Sequence, residues 1–294
     1  MRELRYRLEV ATLRALGWLF RLLPRRASLC IGEFLGLIVC RIGIRTGVAK
    51  QNLTAAFPEW DERKIQLTTK RCYQHFGALL VEFARLPLLK PNNVASLVDF
   101  ENLEVLREAL KLGKGGIVVS GHLGNWELMG AATAVLGFPV SYIVTSQSNN
   151  RVDALMDELR RSVGIEIIKR RDALKGVIKV LNNNRLIAIL SDQDAHEAGV
   201  FVPFFGRLAS TPRGAAMFAL RTGAALIFVE SYRQGTDRLK VHFQLISKDG
   251  LSRNSDEAVK ELTRRFTEKL EEAVRRHPEQ WFWMHRRWKT SPPE

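Results

Sequence analysis

Apolar residues follow two different rhythms along this chain. Before Pro91 they recur at helical spacing. Leu4, Leu8, Ala11, Ala15, Trp18 and Leu22 alternate steps of four and three, which lines them along one face of a helix, and Arg7, Arg14 and Arg21 form a column beside that stripe. Pro24 ends the segment. A second apolar stretch runs from Leu29 to Ile44 with Gly32, Gly36, Gly43 and Gly47 in or next to it, and residues 61–90 read as a third helix, closed by Pro87 and Pro91. Beyond Lys114 the rhythm changes. Short apolar runs at Gly116–Ser120, Val140–Thr145, Ile165–Lys169 and Leu186–Leu190 read as buried strands. Between them Asn125–Leu136, Asp153–Val163 and Asp172–Leu181 carry helical patterns. Val200–Phe205 is extended, and Thr211–Arg221 is helical with Pro212 in its first turn. Ala225–Tyr232 and Leu239–Leu245 read as strands, and Ser255–Arg276 as a long amphipathic helix. Strands alternating with helices predict an α/β fold, a mainly parallel sheet flanked by helices on both faces.

The first fifty residues stand apart. They hold ten basic and three acidic side chains, half of the net charge of +14. An apolar stripe, flanking arginines and a tryptophan describe a helix lying in a bilayer interface with its guanidinium groups reaching lipid phosphates. A helical hairpin packed on the protein's own core fits the same pattern. The expected organisation is a basic amphipathic, membrane-associated helical segment over residues 1–50 and an α/β domain over residues 51–294. The stretch Leu128–Asn150 lacks charge and is long enough to span a bilayer, but Gly137 and Pro139 split it, so it reads as a buried helix followed by a strand. Arg and Glu punctuate the N-terminus, and no small-residue cleavage site follows an apolar core, which argues against a signal peptide.

With 46 % hydrophobic and 26 % charged residues the chain has enough apolar mass for a sizeable core. A basic field attracts polyanions: nucleic acid, an anionic membrane, or an acidic protein. No nucleic-acid motif is present, and the strongest local charge excess coincides with the apolar stripe, which favours a lipid surface and no nucleic acid. Three cysteines without a Cys-x-x-Cys pair disfavour a disulfide framework or zinc knuckle, and no metal is expected. Phosphate-loop, dinucleotide-loop, serine-hydrolase and zincin motifs are absent.

The candidate chemistry follows the first strand of the second region, at Gly121-His122-Leu123-Gly124-Asn125-Trp126-Glu127. On an unbroken helix His122 and Glu127 would face apart. With His122 in a loop, Asn125 as N-cap and Glu127 in the first turn, they can meet. A carboxylate at a helix N-terminus stays ionised. It could then accept the imidazole Nδ1–H and make the other ring nitrogen a better base. Backbone N–H groups near Gly121 and Asn125 could hold a developing oxyanion. On spacing alone a structurally satisfied histidine is an equal reading; strand end, Gly-rich turn and helix start together are what mark a ligand site. Asp192, Gln193 and Asp194 follow the Leu186–Leu190 strand at the same sheet edge, where they could order arginines, grip sugar hydroxyls, or simply form a turn and cap. Phe201, Phe204 and Phe205 fit a core or the wall of an apolar channel. Trp281, Trp283 and Trp288 among Arg286, Arg287 and Lys289 fit a lipid boundary or a buried C-terminal strand.

The His-x-x-x-x-Glu box formed by His122 and Glu127 resembles the signature of glycerolipid-type acyltransferases. Nearly the whole chain resembles the bacterial lipid A biosynthesis acyltransferases, the lauroyl and myristoyl transferases. The likeness rests on the basic N-terminal helix, Ser120-Gly-His-Leu-Gly-Asn-Trp-Glu127, Asn149-Asn-Arg151, Leu159-Arg160, Arg171-Asp172 and Ser191-Asp-Gln-Asp194. It continues through Gly199-Val-Phe-Val-Pro-Phe-Phe-Gly206, Thr222-Gly-Ala224, Pro278-Glu-Gln-Trp-Phe-Trp283 and Arg286-Arg287. One departure is Ser120-Gly121 before the histidine, where the family pattern leads one to expect Asn. The resemblance implies an O-acyltransferase without a cofactor. It would take acyl-carrier protein or acyl-CoA as donor and a lipid A precursor as acceptor, at the cytoplasmic face of the inner membrane of a Gram-negative-type bacterium. It implies His122 as base with Glu127 as its partner, and marks Arg151, Arg160 and Arg171 as substrate-binding, since arginine forks suit phosphates, although each residue fits a solvated helix charge equally well. Acceptors of another glycolipid or phospholipid class would need the same local chemistry.

Overall fold

The computed structural model describes residues 2–235, 237–253 and 255–292. Four helices come first: α1 (Arg2–Leu22), α2 (Arg25–Ile42), α3 (Thr46–Ala56) and α4 (Glu62–Ala84). A short α5 (Val94–Leu97), β1 (Val98–Glu101) and α6 (Glu104–Lys111) lead into the strand-and-helix alternation. This runs β2 (Gly116–Ser120), α7 (Trp126–Val135), β3 (Val140–Val144), α8 (Asn150–Arg161), β4 (Glu166–Lys169), α9 (Ala173–Asn182) and β5 (Leu186–Leu190). A hairpin of β6 (Val200–Phe204) and β7 (Arg207–Thr211) follows, then α10 (Gly214–Thr222), β8 (Ala225–Gln234), β9 (Arg238–Leu245) and α11 (Asp256–Arg276).

Seven strands form one sheet in the order β1-β9-β8-β2-β5-β3-β4. Strands β8, β2, β5, β3 and β4 are parallel, while β9 runs against β8 and pairs parallel with β1. The expected mainly parallel sheet is therefore present, with an antiparallel turn at one side. β2 lies at its centre and is buried along its whole length, which is why its sequence is a continuous apolar run without alternation. Its side chains divide two cores: Ile117 and Val119 join α9, α10 and α11, and Val118 joins α6 and α7. The connection leaving β2 thus enters a helix on one face and that leaving β5 leads to α10 on the other. Adjacent strands whose connections part in this way open a crevice at their carboxyl ends.

Helix α4 lies beside that crevice, because Cys72, His75 and Glu82 all bond to the loop and chain segment around it. Helix α2 packs on α4 through glycine. A Cβ on Gly36 would stand 2.0 Å from the Tyr73 carbonyl oxygen, and one on Gly77 would stand 2.0 Å from that of Gly32. The two backbones touch, and only hydrogen fits between them. Phe20 and Leu29 close the junction of α1 and α2 against Ala78 and Val81. The outward faces are different: Leu4, Leu8, Trp18 and Leu22 of α1 and Phe34 and Ile42 of α2 are each at least 60 % exposed. The stripe read from the sequence is thus the outer face of α1. No single helix among the described residues is long and apolar enough to cross a membrane; α2 and α3 together have the length and composition but are bent by 92°.

Several sequence boundaries shift. Helix α10 starts at Gly214, so Pro212 precedes it and does not lie in its first turn. Helix α8 starts at Asn150, where Asn149 accepts from the Arg151 and Val152 amides and caps it. The expected C-terminal strand is a 3-10 turn, Pro278–Gln280, followed by a single bridge between Leu123 and Trp281. The pattern also left out α3, α6, β1 and β7.

Gly36→Ala is expected to destabilise the fold by about 1–3 kcal/mol, because overpacking against backbone outweighs the helix-propensity gain. Gly47→Ala, where no atom lies within 4 Å, is expected to be neutral or slightly stabilising. Denaturant unfolding of the two variants checks the contrast; equal stabilities would refute the contact.

Candidate active site

His122 sits in the loop between β2 and α7, at the crevice between β2 and β5. Its imidazole Nδ1 faces Asp192 Oδ1 at 2.7 Å, and its backbone N–H donates to Asp192 Oδ2 at 2.6 Å. Because a carboxylate only accepts, Nδ1 carries a proton, so in the neutral ring the lone pair lies on Nε2. Nε2 makes no hydrogen bond among the described residues. The side chain of His122 is 21 % exposed and that of Asp192 is 2 % exposed, so the ring reaches the surface while its partner does not. Trp126 meets the imidazole edge-on at 4.8 Å and Phe282 lies 6.1 Å away, which makes the surroundings of the ring apolar.

Asp192 lies just past the end of β5, adjacent to β2. Its second oxygen also accepts the Trp281 indole N–H at 2.8 Å. Burial alone would push this carboxyl up. The facing imidazole, the His122 hydrogen bonds and the Trp281 indole outweigh burial and hold the group below the usual carboxylate range. It is therefore an anion, poised to stabilise an imidazolium.

Glu127 does not meet His122 as the sequence predicted. It occupies the first turn of α7, as expected, but its two oxygens accept from Arg160 of α8 at 3.1 and 2.6 Å. Burial would lower the Arg160 pKa, and the Glu127 carboxylate more than reverses this. The pair is a buried clamp between α7 and α8. The physical reason is helix direction: the first turn of α7 carries position 127 toward α8, whereas the loop turns position 122 toward β5.

The remaining predicted residues separate. Gly121 is required where it stands, since a Cβ there would lie 2.7 Å from Leu270 and 2.9 Å from Asp192 Oδ2. Asn125 caps α7, accepting from the Leu128 amide at 2.9 Å, and its side-chain amide donates to Glu82 at 2.7 Å. The His122 and Gly124 amides, expected to be open to an oxyanion, are committed to Asp192 and to the Gln280 carbonyl. Arg151 is paired on the surface with Glu3 of α1. Arg171 is exposed and pairs only with neighbouring Asp172 among the described residues. Gln193 is half-buried next to Asp192. Asp194 anchors the C-terminal segment: it accepts from Thr290, and its amide donates to His285 Nε2 at 2.9 Å. Phe204 and Phe205 belong to the core with Trp281 and Trp283, all four buried, so these tryptophans are not a lipid boundary.

Glu82 and His75 of α4 were not singled out from the sequence. Glu82 is buried among Arg25, Arg233 and Asn125. Burial raises its pKa, but the two guanidinium groups and the Asn125 amide prevail and keep it ionised. Burial, followed by the charge of Arg233, pushes His75 down to about 4. It is neutral at pH 7, and its Nε2–H donates to the Gly124 carbonyl at 2.9 Å. Their only sequence signal was polarity inside an otherwise amphipathic helix. Two cavities adjoin α4. One of about 230 Å³ is lined by Leu86, Leu89, Leu97 and Leu128 with Arg25 and Arg85. The other, about 250 Å³ and polar, is lined by Arg71, His75, Arg233 and Gln280 among others. His122 lines neither. No group of three or more metal-ligating side chains occurs among the described residues.

Comparison with known proteins gives this geometry a context. A lauroyltransferase of lipid A biosynthesis from Escherichia coli strain K12 is 28 % identical over 94 % of this chain and 89 % of its own. The palmitoleoyltransferase of lipid A biosynthesis from the same organism is 25 % identical over the same shares. A phosphatidylinositol mannoside acyltransferase of Mycolicibacterium smegmatis is 24 % identical over 70 % of this chain and 67 % of its own. The family model described as bacterial lipid A biosynthesis acyltransferase matches residues 1–290. With an imidazole backed by a buried carboxylate at the carboxyl end of the sheet, and this match along almost its whole length, the chain is an O-acyltransferase that belongs to the bacterial lipid A biosynthesis acyltransferase family.

Proposed function

We propose that this protein moves a fatty acyl chain from acyl-carrier protein, or acyl-CoA, to a hydroxyl of a lipid A precursor, with His122 as general base and Asp192 as its partner. The observation that carries the reading is the Nε2 of His122, which has no hydrogen-bond partner among the described residues and is backed through Nδ1–H by a buried anion. Nε2 takes the proton of the acceptor hydroxyl as its oxygen bonds to the thioester carbonyl carbon. The carbon–sulfur bond then breaks, and the leaving thiolate recovers the proton from the imidazolium. Asp192 stabilises that imidazolium, while Glu127 with Arg160 fixes α7. General-base assistance of this kind contributes about 10²–10⁴-fold. The basic field suits the acidic surface of an acyl-carrier protein.

The exposed apolar faces of α1 and α2 support attachment to the cytoplasmic face of the inner membrane. These helices stack on α4 at the end of the sheet where His122 lies, so a bilayer on their outer faces would lie near the acceptor's entry. The likeness to a phosphatidylinositol mannoside acyltransferase favours a second reading, in which the acceptor is a different glycolipid and the chemistry is unchanged.

Incubation of purified protein with acyl-carrier protein or acyl-CoA thioesters and a lipid A precursor, read by mass spectrometry, tests the donor and acceptor. His122→Ala should abolish transfer. Asp192→Asn should lower kcat by about 10³-fold or more, by analogy with removal of the orienting carboxylate elsewhere. Glu127→Gln should lose activity together with about 3 kcal/mol of stability, because among the described residues the buried Arg160 charge then keeps only Asp157, at 3.9 Å, as an ionic partner. An unchanged unfolding midpoint in Glu127→Gln with full loss of rate would return the partner role to Glu127.

The Trp18→Glu/Phe34→Glu variant should bind vesicles containing anionic phospholipid at least about tenfold more weakly, since each ring's burial is worth about 1.5–3 kcal/mol. Co-sedimentation at matched ionic strength measures this, and unaltered binding would remove the membrane assignment from these faces.

A further inference from the structure

The C-terminal segment beyond α11 is the motif that the acyl-transfer chemistry leaves unassigned. Two links join it to the His122 loop and a third joins it to Asp192. The Phe282 amide donates to the His122 carbonyl at 3.0 Å, and the Gly124 amide donates to the Gln280 carbonyl at 2.9 Å, which together make the Leu123–Trp281 bridge. The third is the indole N–H of Trp281 on Asp192 Oδ2. Trp281 itself is 1 % exposed. Phe204 lies 5.5 Å from its ring and Trp283 meets it edge-on at 4.5 Å, while Cys72 Sγ donates to its carbonyl at 3.2 Å. The ring has no room to turn, so the direction of its N–H is fixed by the core.

We propose that Trp281 is a positioning residue for acyl transfer: it pins the second oxygen of Asp192 so that the first is held in line with His122 Nδ1. The inference rests on the reading of His122 and Asp192 given above. A carboxylate bound through one oxygen swings about its Cβ–Cγ bond. Here both oxygens are held, one by the imidazole and the other by the His122 amide and the indole. The indole also draws charge from the carboxylate. Without that donor more charge remains for Oδ1, which then holds the imidazolium more strongly. The other charged or titratable groups that interact with this carboxylate are His285 and Arg287 from the C-terminal segment, both of which also feel Asp194 from the turn after β5, and His285 interacts with His122 as well. On the α7 side the charge of Glu127 is taken up by Arg160. Trp281→Phe alters none of these.

Trp281→Phe should lower kcat about tenfold, as expected for a small misplacement of a catalytic group, with little change in KM. The acidic limb of its pH–rate profile should move to higher pH by roughly half a unit or more. The low-field proton resonance of the His122 Nδ1–H should shift in the same variant, a readout that needs no substrate. Packing loss alone would reduce rate without moving either signal. If Trp281→Phe does not fold, 3-benzothienylalanine placed at position 281 by semisynthesis keeps the ring shape and lacks the N–H. An unmoved limb and an unmoved resonance in the folded variant overturn the proposal. A shifted resonance in a protein that transfers no acyl chain would uphold the hold on Asp192 and refute the acyl-transfer assignment instead.

Discussion

One buried carboxylate organises the functional end of this protein. Asp192 is almost wholly withdrawn from water, and an anion in that position must be compensated by donors. Those three donors come from two places far apart in sequence: the imidazole and amide of His122, and the indole of Trp281. Each donor satisfies the charge, and the charge in turn fixes each donor. The loop after β2, the turn after β5 and the segment after α11 therefore have one mutually consistent arrangement. The orientation of the His122 ring is a consequence of that arrangement.

A second buried carboxylate repeats the logic one layer out. Glu82 gathers Arg25 from the start of α2, Arg233 from the end of β8 and the Asn125 amide from the cap of α7. The loop is thus gripped from the core side through Asp192 and from the α4 side through Glu82 and His75. Gly124 lies between these grips. Its φ is +60°, and a Cβ there would stand 1.9 Å from the Ser231 carbonyl oxygen, so no other residue fits. A loop that leaves His122 open on one side must be held tightly on every other.

The sequence revealed the parts of this design that are local. β2 and β5 were legible to the residue because short runs of Val, Ile and Leu are bounded by turn residues. The caps Asn125, Asn149 and Ser255 obey side-chain chemistry that acts over three positions, although only the first was read as a cap. His122 was legible because a strand end, a glycine turn and a helix start surround it. Its partner was not. Glu127 is near in the chain and Asp192 is seventy positions away, and nothing in spacing distinguishes a carboxylate that meets the imidazole from one that meets Arg160. The tryptophans failed for a related reason. Aromatic rings among arginines describe a lipid boundary and a buried clamp equally well, and only the fold determines that Trp281 is buried. Arginine was equally opaque: Arg160 is sealed inside while Arg151 and Arg171 lie on the surface.

The N-terminal helices show how the charge excess can be misread when counted without its partners. Arg7 and Arg14 pair with Glu3 and Glu158, Arg151 returns to Glu3, and Arg25 is drawn inward to Glu82. Arg14 and Arg151 thus tie α1 to α8 and Arg25 ties α2 to α4, while Arg7 pairs within α1. Surface pairs of this kind are each worth little, but the Arg25–Glu82 pair is largely buried and shares its carboxylate with the Asn125 cap. It forms a short path of ionic and hydrogen-bonded contacts from the first turn of α2 to the first turn of α7. The glycine contact between α2 and α4 makes that path stiff, because two backbones in contact cannot slide without collision. Through it the outer apolar faces of α1 and α2 hold a fixed orientation relative to the His122 loop, as a surface that delivers a lipid hydroxyl to a stationary base would require.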